Sequence, residues 1–221
     1  MRVVLFGATG MLGSGTLIEC LHSPEVEAVL VVGRRSCGVE HQKLRELIME
    51  DMFDYSSVRD QFIGHDACFF CLGISSARMS EDAYHRITYE LPLKAAQALL
   101  AANPGMTFCH VSGTGAYSSE QGPMMWARVK GMIENKLIEM GFGSTWIFRP
   151  GFIQPVKGVR SRTPMYNVVY ALVKPLYLVL SRLTRRSITT TEMLGRAMIR
   201  AARDGAPKTI LHNSDINRLA E

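Results

Sequence analysis

The first thirteen residues constrain the fold more than any other part of this 221-residue chain. Residues 3–6 form an apolar run of strand length. Gly7, Gly10 and Gly13 follow, and apolar residues then recur at helical spacing. In a strand–turn–helix unit, the first glycine permits the tight turn, the second lets backbone N–H groups approach a pyrophosphate, and the third lets the helix pack closely. The helix N-terminus directs unpaired N–H groups at the phosphates. The segment therefore predicts a dinucleotide-binding βα unit.

Apolar runs alternate with segments of helical periodicity along the whole chain. We predict strands at 2–6, 28–33, 46–50, 67–72, 107–111, 144–149 and 208–211, and helices at 11–22, 56–63, 80–102, 122–140, 166–183 and 190–203. Continuous apolar strands separated by helices are typical of a parallel sheet covered on both faces. With the glycine loop after the first strand, the pattern predicts a Rossmann doubly wound sheet in three α/β/α layers. We expect one domain, with a small lid region at about 154–190.

Ligands of such sheets bind beyond the carboxyl ends of the strands, so the residues after each strand are candidate cofactor contacts. Arg34 and Arg35 follow the second predicted strand, with no acidic residue next to them. Asp or Glu at this place holds the ribose 2′-OH of NAD, whereas arginine accommodates the 2′-phosphate of NADP. We therefore expect NADP to be preferred over NAD. The alternative is that both arginines are simply solvated.

The other candidate cofactor contacts follow the remaining strand ends. Asp51 could accept a hydrogen bond from the adenine amino group, and the small Gly73 would let the backbone lie along the cofactor. The set predicted from the strand ends comprises Gly7, Ala8, Thr9, Gly10, Met11, Leu12, Gly13, Arg34, Arg35, Asp51, Met52, Cys71, Leu72, Gly73, Val111, Ser112, Pro150, Gly151 and Ile153.

Cysteine usage and the start of the chain indicate a compartment. The five cysteines are an odd number and lie mostly in apolar surroundings, which suits a reducing environment better than a disulfide framework. Cys68 and Cys71 form a C-x-x-C spacing, but they lie in an apolar run and are expected to be core thiols without a metal. The chain begins with a strand rather than a signal peptide. We expect a cytoplasmic protein.

The net charge of +5 is unevenly distributed. Residues 156–203 contain ten Lys or Arg and one acid, Glu192, which suggests an anionic partner such as a phosphorylated cofactor, an acidic substrate or a membrane surface. Within this region, residues 165–186 include an apolar helix with a basic end. Its interpretations are a buried lid or homodimer helix, a helix peripheral to a membrane of anionic lipid, or the lining of a hydrophobic substrate pocket. We expect no nucleic-acid partner.

Five motifs together resemble the atypical short-chain dehydrogenase/reductases. The resemblance runs from Val3 to about Ile153 and more loosely to the C-terminus. It is strongest to proteins of the Tat-interacting oxidoreductase type, which are epimerase- or dehydratase-like. The motifs are Gly-Ala-Thr-Gly-Met-Leu-Gly at 7–13, Cys-Leu-Gly at 71–73, Val-Ser-Gly at 111–113, Ala-Arg-Val-Lys-Gly-Met-Ile-Glu at 127–134 and Arg-Pro-Gly at 149–151.

The resemblance implies a catalytic Ser, Tyr and Lys, with the tyrosine four residues before the lysine on one helix. Ser112 matches the serine, and Lys130 matches the lysine that also binds the nicotinamide ribose. At the tyrosine position stands Trp126, whose indole N–H can donate a hydrogen bond but cannot serve as an acid or base. Tyr117, in the glycine-rich stretch after Ser112, is a candidate replacement.

Two functions remain open at this stage. The resemblance implies an NADP(H)-dependent oxidoreductase that acts on an unknown carbonyl or alcohol of small-molecule size. The alternative is a dinucleotide-binding regulatory or assembly protein without turnover. Trp126 favours the alternative, whereas the otherwise intact motifs favour the enzyme.

Overall fold

A computed structural model describes residues 1–159 and 188–221. Its centre is a seven-stranded sheet. The strands are β1 (Arg2–Phe6), β2 (Ala28–Gly33), β3 (Leu44–Ile48), β4 (Ala67–Phe70), β5 (Thr107–Val111), β6 (Ser144–Arg149) and β9 (Ile210–His212). They lie in the order β3-β2-β1-β4-β5-β6-β9, and every neighbouring pair is parallel. The carboxyl ends of these strands therefore meet along one edge. The predicted Rossmann fold class is confirmed.

Helices cover both faces of the sheet. They are α1 (Met11–His22), α2 (Glu81–His85), α3 (Leu91–Ala102), α4 (Met125–Glu139), α5 (Thr191–Asp204) and α6 (Asn213–Ala220). Side chains of α1, α5 and α6 pack on one face with Val3 and Leu5, and side chains of α3 and α4 pack on the other with Val4 and Phe6. Successive residues of β1 thus point into two different cores, which explains its uninterrupted apolar sequence.

Several predicted boundaries differ from the structure. The third strand covers 44–48 rather than 46–50. It lies at the edge of the sheet, and its residues are not fully buried. The apolar residues Met49 and Met52, which lie beyond its end, pack into the core instead. Ser56–Phe62 form a 3-10 helix, and the predicted helix 80–102 contains a π-helical turn at Arg86–Glu90.

The sequence patterns missed three short elements. These are β7 (Phe152–Gln154) and β8 (Ile188–Thr190), which pair in parallel as a separate two-stranded sheet, and the eight-residue helix α6. Three residues are too few to show a period. The predicted helix 166–183 and most of the predicted lid lie outside the described residues. Among the helices that are described, none is both long and apolar enough to cross a membrane.

Candidate active site

The glycine loop joins β1 to α1 at the carboxyl edge of the sheet. Gly7 has φ +85°, and a Cβ there would lie 2.7 Å from the backbone nitrogen of Leu72 on the neighbouring loop. A Cβ on Gly13 would lie only 2.1 Å from the carbonyl oxygen of Gly7. Both positions therefore require glycine, because the loop, the next strand end and α1 approach each other closely.

The N-terminus of α1 is suited to bind a phosphate. Gly10 caps the helix with an extended backbone, no side chain accepts a hydrogen bond from the first turn, and that turn holds no acidic residue. A Cβ on Gly10 would lie 3.3 Å from the nearest atom, the carbonyl oxygen of Gly7. The helix N–H groups are thus free of side-chain caps, and their positive dipole end meets no acid. Ala8 is buried, whereas Thr9, Met11 and Leu12 are half-buried around this N-terminus.

Arg34 and Arg35 are exposed directly after β2. An acid that the sequence reasoning missed lies close to this loop. Glu46 of β3 accepts hydrogen bonds from the Ser36 hydroxyl and the Cys37 backbone nitrogen, both at 2.7 Å. These bonds lower the pKa of the Glu46 carboxyl, with the Cys37 amide contributing most. Both carboxylate oxygens therefore already have partners and hold the loop that carries the two arginines.

The predicted adenine contacts have local roles. An oxygen of Asp51 accepts a hydrogen bond from the Phe53 backbone nitrogen at 2.8 Å, which forms a turn after β3. The side chain of Met52 is buried in the core, so only its backbone can line a cofactor cleft. The role of Asp51 toward adenine stays a prediction.

The loop after β4 lies beside the glycine loop. The Cys71 nitrogen donates a hydrogen bond to the Phe6 carbonyl at 3.0 Å, and its thiol lies 3.7 Å from the Thr16 hydroxyl. Burial raises the pKa of the Cys71 thiol to about 12, so this thiol is protonated at neutral pH. Cys71 and Val111 are core side chains, as is Cys68, and all five cysteines are free. Gly73 faces open space.

Ser112 and Lys130 meet after β5. The Ser112 nitrogen donates to the Phe148 carbonyl at 2.8 Å, which continues the sheet pairing by one residue. Lys130 extends from α4 toward the same place, because a Cβ on Gly113 would lie 4.0 Å from its Nζ. Burial lowers the pKa of Lys130, and the charge of Glu134 opposes this shift. The serine and lysine that the sequence predicted are therefore brought together.

His110 is buried beneath this pair. Burial and the charge of Lys130 lower its pKa to about 3, so the imidazole is neutral near physiological pH. Its ring packs against Phe70, with the ring centroids 5.7 Å apart. His110 is thus a core side chain rather than a group that gains a proton.

A buried polar network extends from Ser112 and was missed by the sequence reasoning. The Ser112 hydroxyl donates to one carboxylate oxygen of Glu134, and Arg149 donates to the other through Nε, at 2.9 Å, and through Nη2. Arg149 also donates to the Ser118 hydroxyl at 2.8 Å. Glu134 is fully buried. The available signal was its position one helical turn after Lys130 on the same face of α4.

The two aromatic residues of interest pack differently. Trp126 lies against Gly115, where a Cβ would be 3.0 Å from its Cη2. The Tyr117 nitrogen donates to the Ala127 carbonyl at 2.9 Å, and its ring covers Gly122 closely. These contacts place Tyr117 beside the first turns of α4 and show no contact with Ser112 or Lys130 among the described residues. Its role as a substitute acid stays a prediction.

The segment after β6 closes this side of the site. The Pro150 carbonyl accepts a hydrogen bond from the Thr114 nitrogen at 3.0 Å, and the Gly151 nitrogen donates to Asn213 at 2.7 Å. Ile153 is buried in β7. The backbone after β6 is thereby held against the loop after β5.

Much of the described positive charge in 156–203 has acidic partners within the chain. Glu19 of α1 pairs with Lys157 at 2.6 Å and with Arg196 at 3.0 Å, and Glu192 pairs with both cations. Arg203 pairs with Glu25 at 2.8 Å. The expected attraction for an anionic partner is weaker at these residues, because their charges are already compensated. The segment 165–186 lies outside the described residues.

Comparison with known proteins finds relatives of modest similarity and no matching family model. The chain is 29% identical over 154 residues to the protein HTATIP2 of Rattus norvegicus, covering 68% of this chain and 62% of the relative. It is 28% identical over 155 residues to the mitochondrial protein FMP52 of Meyerozyma guilliermondii, covering 69% and 65%. The chain thus spans just under two thirds of the length of these curated relatives.

Solved structures confirm the fold. A thiolation-reductase di-domain of an archaeal non-ribosomal peptide synthetase superposes with a TM-score of 0.72 at 12% identity, covering 96% of this chain and 70% of that one. The dTDP-glucose 4,6-dehydratase DesIV of Streptomyces venezuelae, solved with NAD and TYD, gives 0.70 at 18% identity, covering 96% and 75%. WbmF of Bordetella bronchiseptica, solved with NAD+, gives 0.68 at 17%, covering 99% and 76%.

These relatives contradict one prediction and confirm another. The expected cytoplasmic location is contradicted, because several FMP52 relatives are named as mitochondrial proteins. Apolar cysteines and a strand at the start of the chain do not distinguish between reducing compartments. The predicted resemblance is confirmed at the level of similarity: the chain resembles HTATIP2 and the FMP52 proteins over about two thirds of its length, and its structural neighbours share the Rossmann fold.

Proposed function

We propose that the protein is an NADP(H)-dependent oxidoreductase of the atypical short-chain type, acting on a small carbonyl or alcohol. The observation that carries the proposal is the placement of two features at the same carboxyl edge of the sheet: an uncapped helix N-terminus at Gly10, after β1, and the pair Ser112 and Lys130, after β5. A bound nicotinamide would supply or accept the hydride. The structural neighbours WbmF and DesIV, solved with NAD+ and NAD, support dinucleotide binding by this fold.

Each site residue has a task that its surroundings support. The first turn of α1 binds the pyrophosphate through backbone N–H groups. Lys130, beside Gly113, donates hydrogen bonds toward the nicotinamide ribose. Ser112 fixes the oxygen of the substrate. Trp126 walls the pocket next to Gly115 and contributes no proton, because an indole N–H is not an acid near neutral pH.

We expect NADPH to bind more tightly than NADH, because Arg34 and Arg35 are exposed where the adenosine ribose lies and Glu46 is already paired. Charge-assisted hydrogen bonds to a phosphate contribute on the order of 1.5–3 kcal/mol, which is roughly tenfold to a hundredfold in affinity. Calorimetric titration of both cofactors measures this preference. Equal affinities in the unaltered protein contradict it.

Substitution of the two arginines assigns the preference to a residue. Arg34→Ala and Arg35→Ala are each compared with Arg59→Ala, which alters a basic residue of the distant 3-10 helix. The expected result is a loss of NADPH affinity in at least one of the first two variants, with NADH affinity unchanged. An unchanged ratio in both shows that the two arginines are solvated and do not read the phosphate.

Trp126→Tyr is expected to raise carbonyl reduction with NADPH by roughly 10²–10⁴-fold, the usual contribution of a positioned general acid. Lys130 lies one turn further along the same face of α4, and Ser112 lies opposite at the end of β5. The measurement is NADPH consumption against a panel of aldehydes, ketones and quinones. Tyr117→Phe tests the other candidate acid. If Tyr117 supplies the proton, this variant should lower carbonyl reduction and leave NADPH affinity unchanged.

The same assay decides between the two functions left open by the sequence. Turnover of any carbonyl by the unaltered protein supports the enzyme. If neither the unaltered protein nor Trp126→Tyr turns over any carbonyl while NADPH still binds, the function is cofactor sensing or assembly. Trp126, which stands where the resemblance implies a catalytic tyrosine, is the observation that favours this second function.

A further inference from the structure

The Ser112 hydroxyl has one proton to donate, and a carboxylate oxygen of Glu134 lies within hydrogen-bond distance of it. Its Oγ donates to a carboxylate oxygen of Glu134. The other oxygen of that carboxylate receives Nε and Nη2 of Arg149. A carboxylate paired in this way with a guanidinium only accepts hydrogen bonds. Ser112 must therefore be the donor of the shared bond.

The two partners of this bond differ in their access to the cleft. Ser112 is partly exposed at the end of β5, whereas Glu134 is fully buried behind it on α4. A substrate can thus meet the serine oxygen but not the carboxylate. What remains on the serine oxygen for a substrate is its lone pairs.

We infer that Glu134 sets the hydrogen-bond polarity of the site: Ser112 accepts, so the substrate group bound beside it is a donor, the hydroxyl of an alcohol. Glu134 is a positioning residue that acts through Ser112. This inference rests on the proposed function. It narrows the substrate class, because it predicts that the site binds the alcohol more tightly than the corresponding carbonyl compound. A serine whose hydroxyl is free would instead donate to a carbonyl oxygen.

The cation beside the serine leaves this polarity unchanged. A Cβ on Gly113, the residue after Ser112, would lie 4.0 Å from Lys130 Nζ, and an ammonium only donates hydrogen bonds. His110, the other titratable group facing Lys130, is neutral because burial and the lysine charge lower its pKa. Neither group offers the Ser112 hydroxyl proton a better acceptor than the Glu134 carboxylate, which Arg149 pairs with.

Neutron diffraction of the deuterated protein with bound NADP+ tests the direction of the hydrogen bond between Ser112 and Glu134, and it requires no turnover. The expected deuteron lies on Ser112 Oγ and points at Glu134. A deuteron that points into the cleft, or one carried by the Glu134 carboxyl, overturns the inference. Binding of NADP+ to the crystal is scored separately, and its failure counts against the proposed function instead.

Two dead-end complexes test the substrate class by fluorine NMR. One complex contains para-fluoroacetophenone and NADP+, and the other contains the corresponding alcohol and NADPH. Neither pair can transfer a hydride, because both members of the first are oxidised and both members of the second are reduced. We expect the alcohol to bind roughly tenfold more tightly, the usual effect of one hydrogen bond gained instead of left unmade. Equal affinities, tighter binding of the ketone, or no binding of either probe to a protein that binds both cofactors contradicts the inference.

Glu134→Gln reverses the polarity. Its amide oxygen can accept from Arg149 while its amide nitrogen donates to Ser112, which frees the serine hydroxyl to donate to the ketone. We expect the alcohol-to-ketone preference to shift toward the ketone by about tenfold. Arg149→Lys keeps a cation beside the carboxylate and should keep the alcohol preference at reduced stability. Glu139→Gln, on the exposed face of the same helix, is the matched control.

A purely structural role for Glu134 gives a different pattern. Glu134→Gln and Arg149→Lys would then both lower the melting temperature and leave the probe preference unchanged. That result overturns the inference. If the glutamine variant does not fold, the neutron structure of the unaltered protein still decides where the hydroxyl proton lies.

Discussion

Glu134→Ala is expected to lower the free energy of unfolding by about 3–5 kcal/mol, the usual cost of removing one partner from a buried ion pair. Glu134 is fully buried, and its loss leaves the guanidinium of Arg149 in the interior without its anionic partner. The serine hydroxyl also loses its acceptor. Urea unfolding monitored by tryptophan fluorescence measures the effect, with the slope of the transition compared between variants.

Two further variants separate the charge from the packing. Glu139→Ala lies on the same helix with an exposed side chain and should change stability by less than about 0.5 kcal/mol. The pair Glu134→Leu with Arg149→Leu removes both charges and should recover much of the loss, because apolar side chains of similar volume often replace a buried ion pair without cost. A loss below about 1 kcal/mol for Glu134→Ala alone contradicts the buried network.

Gly10→Val is expected to weaken dinucleotide binding by more than a hundredfold while the fold survives. The Gly10 backbone is extended, a conformation that any residue adopts, so its dihedral angles accept valine. A Cβ there would lie 3.3 Å from the Gly7 carbonyl oxygen, a tight contact that is expected to lower stability slightly. The branched side chain would instead occupy the space in front of the helix N–H groups that the pyrophosphate needs. Calorimetry with NADPH and the melting temperature without cofactor measure the two effects separately.

Two other glycines serve as controls. Gly105→Ala, in open space between α3 and β5, should change neither binding nor stability appreciably. Gly13→Ala should lower stability itself, because its Cβ would lie 2.1 Å from the Gly7 carbonyl oxygen. If Gly10→Val retains the cofactor-induced rise in melting temperature of the unaltered protein, the phosphate does not bind at this helix end.

The features that could be predicted from the sequence are those that depend on residues close together in the chain. The glycine loop, the two arginines after β2 and the serine after β5 could be located from the sequence, because each follows directly from a strand end. The fold class could be predicted for a similar reason. Strands buried on both faces leave uninterrupted apolar runs, and helices between them enforce parallel pairing.

The edges of the fold were harder to predict. Strand β3 is an edge strand whose position depends on its pairing with β2, so the more apolar residues after it gave a boundary two residues too late. Strands β7 and β8 have three residues each, and they pair residues that lie more than thirty positions apart in the sequence. Such pairings depend on tertiary contacts and carry no periodic signal of their own.

By itself, the sequence determined the glycine loop after the first strand, the parallel sheet and the residues along its carboxyl edge, because these depend on local turns and on apolar periodicity. Only the tertiary structure decided what those residues bind within the chain. Glu46 reaches the loop after β2 from the neighbouring strand, and Glu134 reaches Ser112 from 22 residues away and Arg149 from 15. Glu134, Ser112 and Arg149 come together only when α4 packs on the sheet. Burial then excludes water from the network, so each buried charge needs its partner for stability.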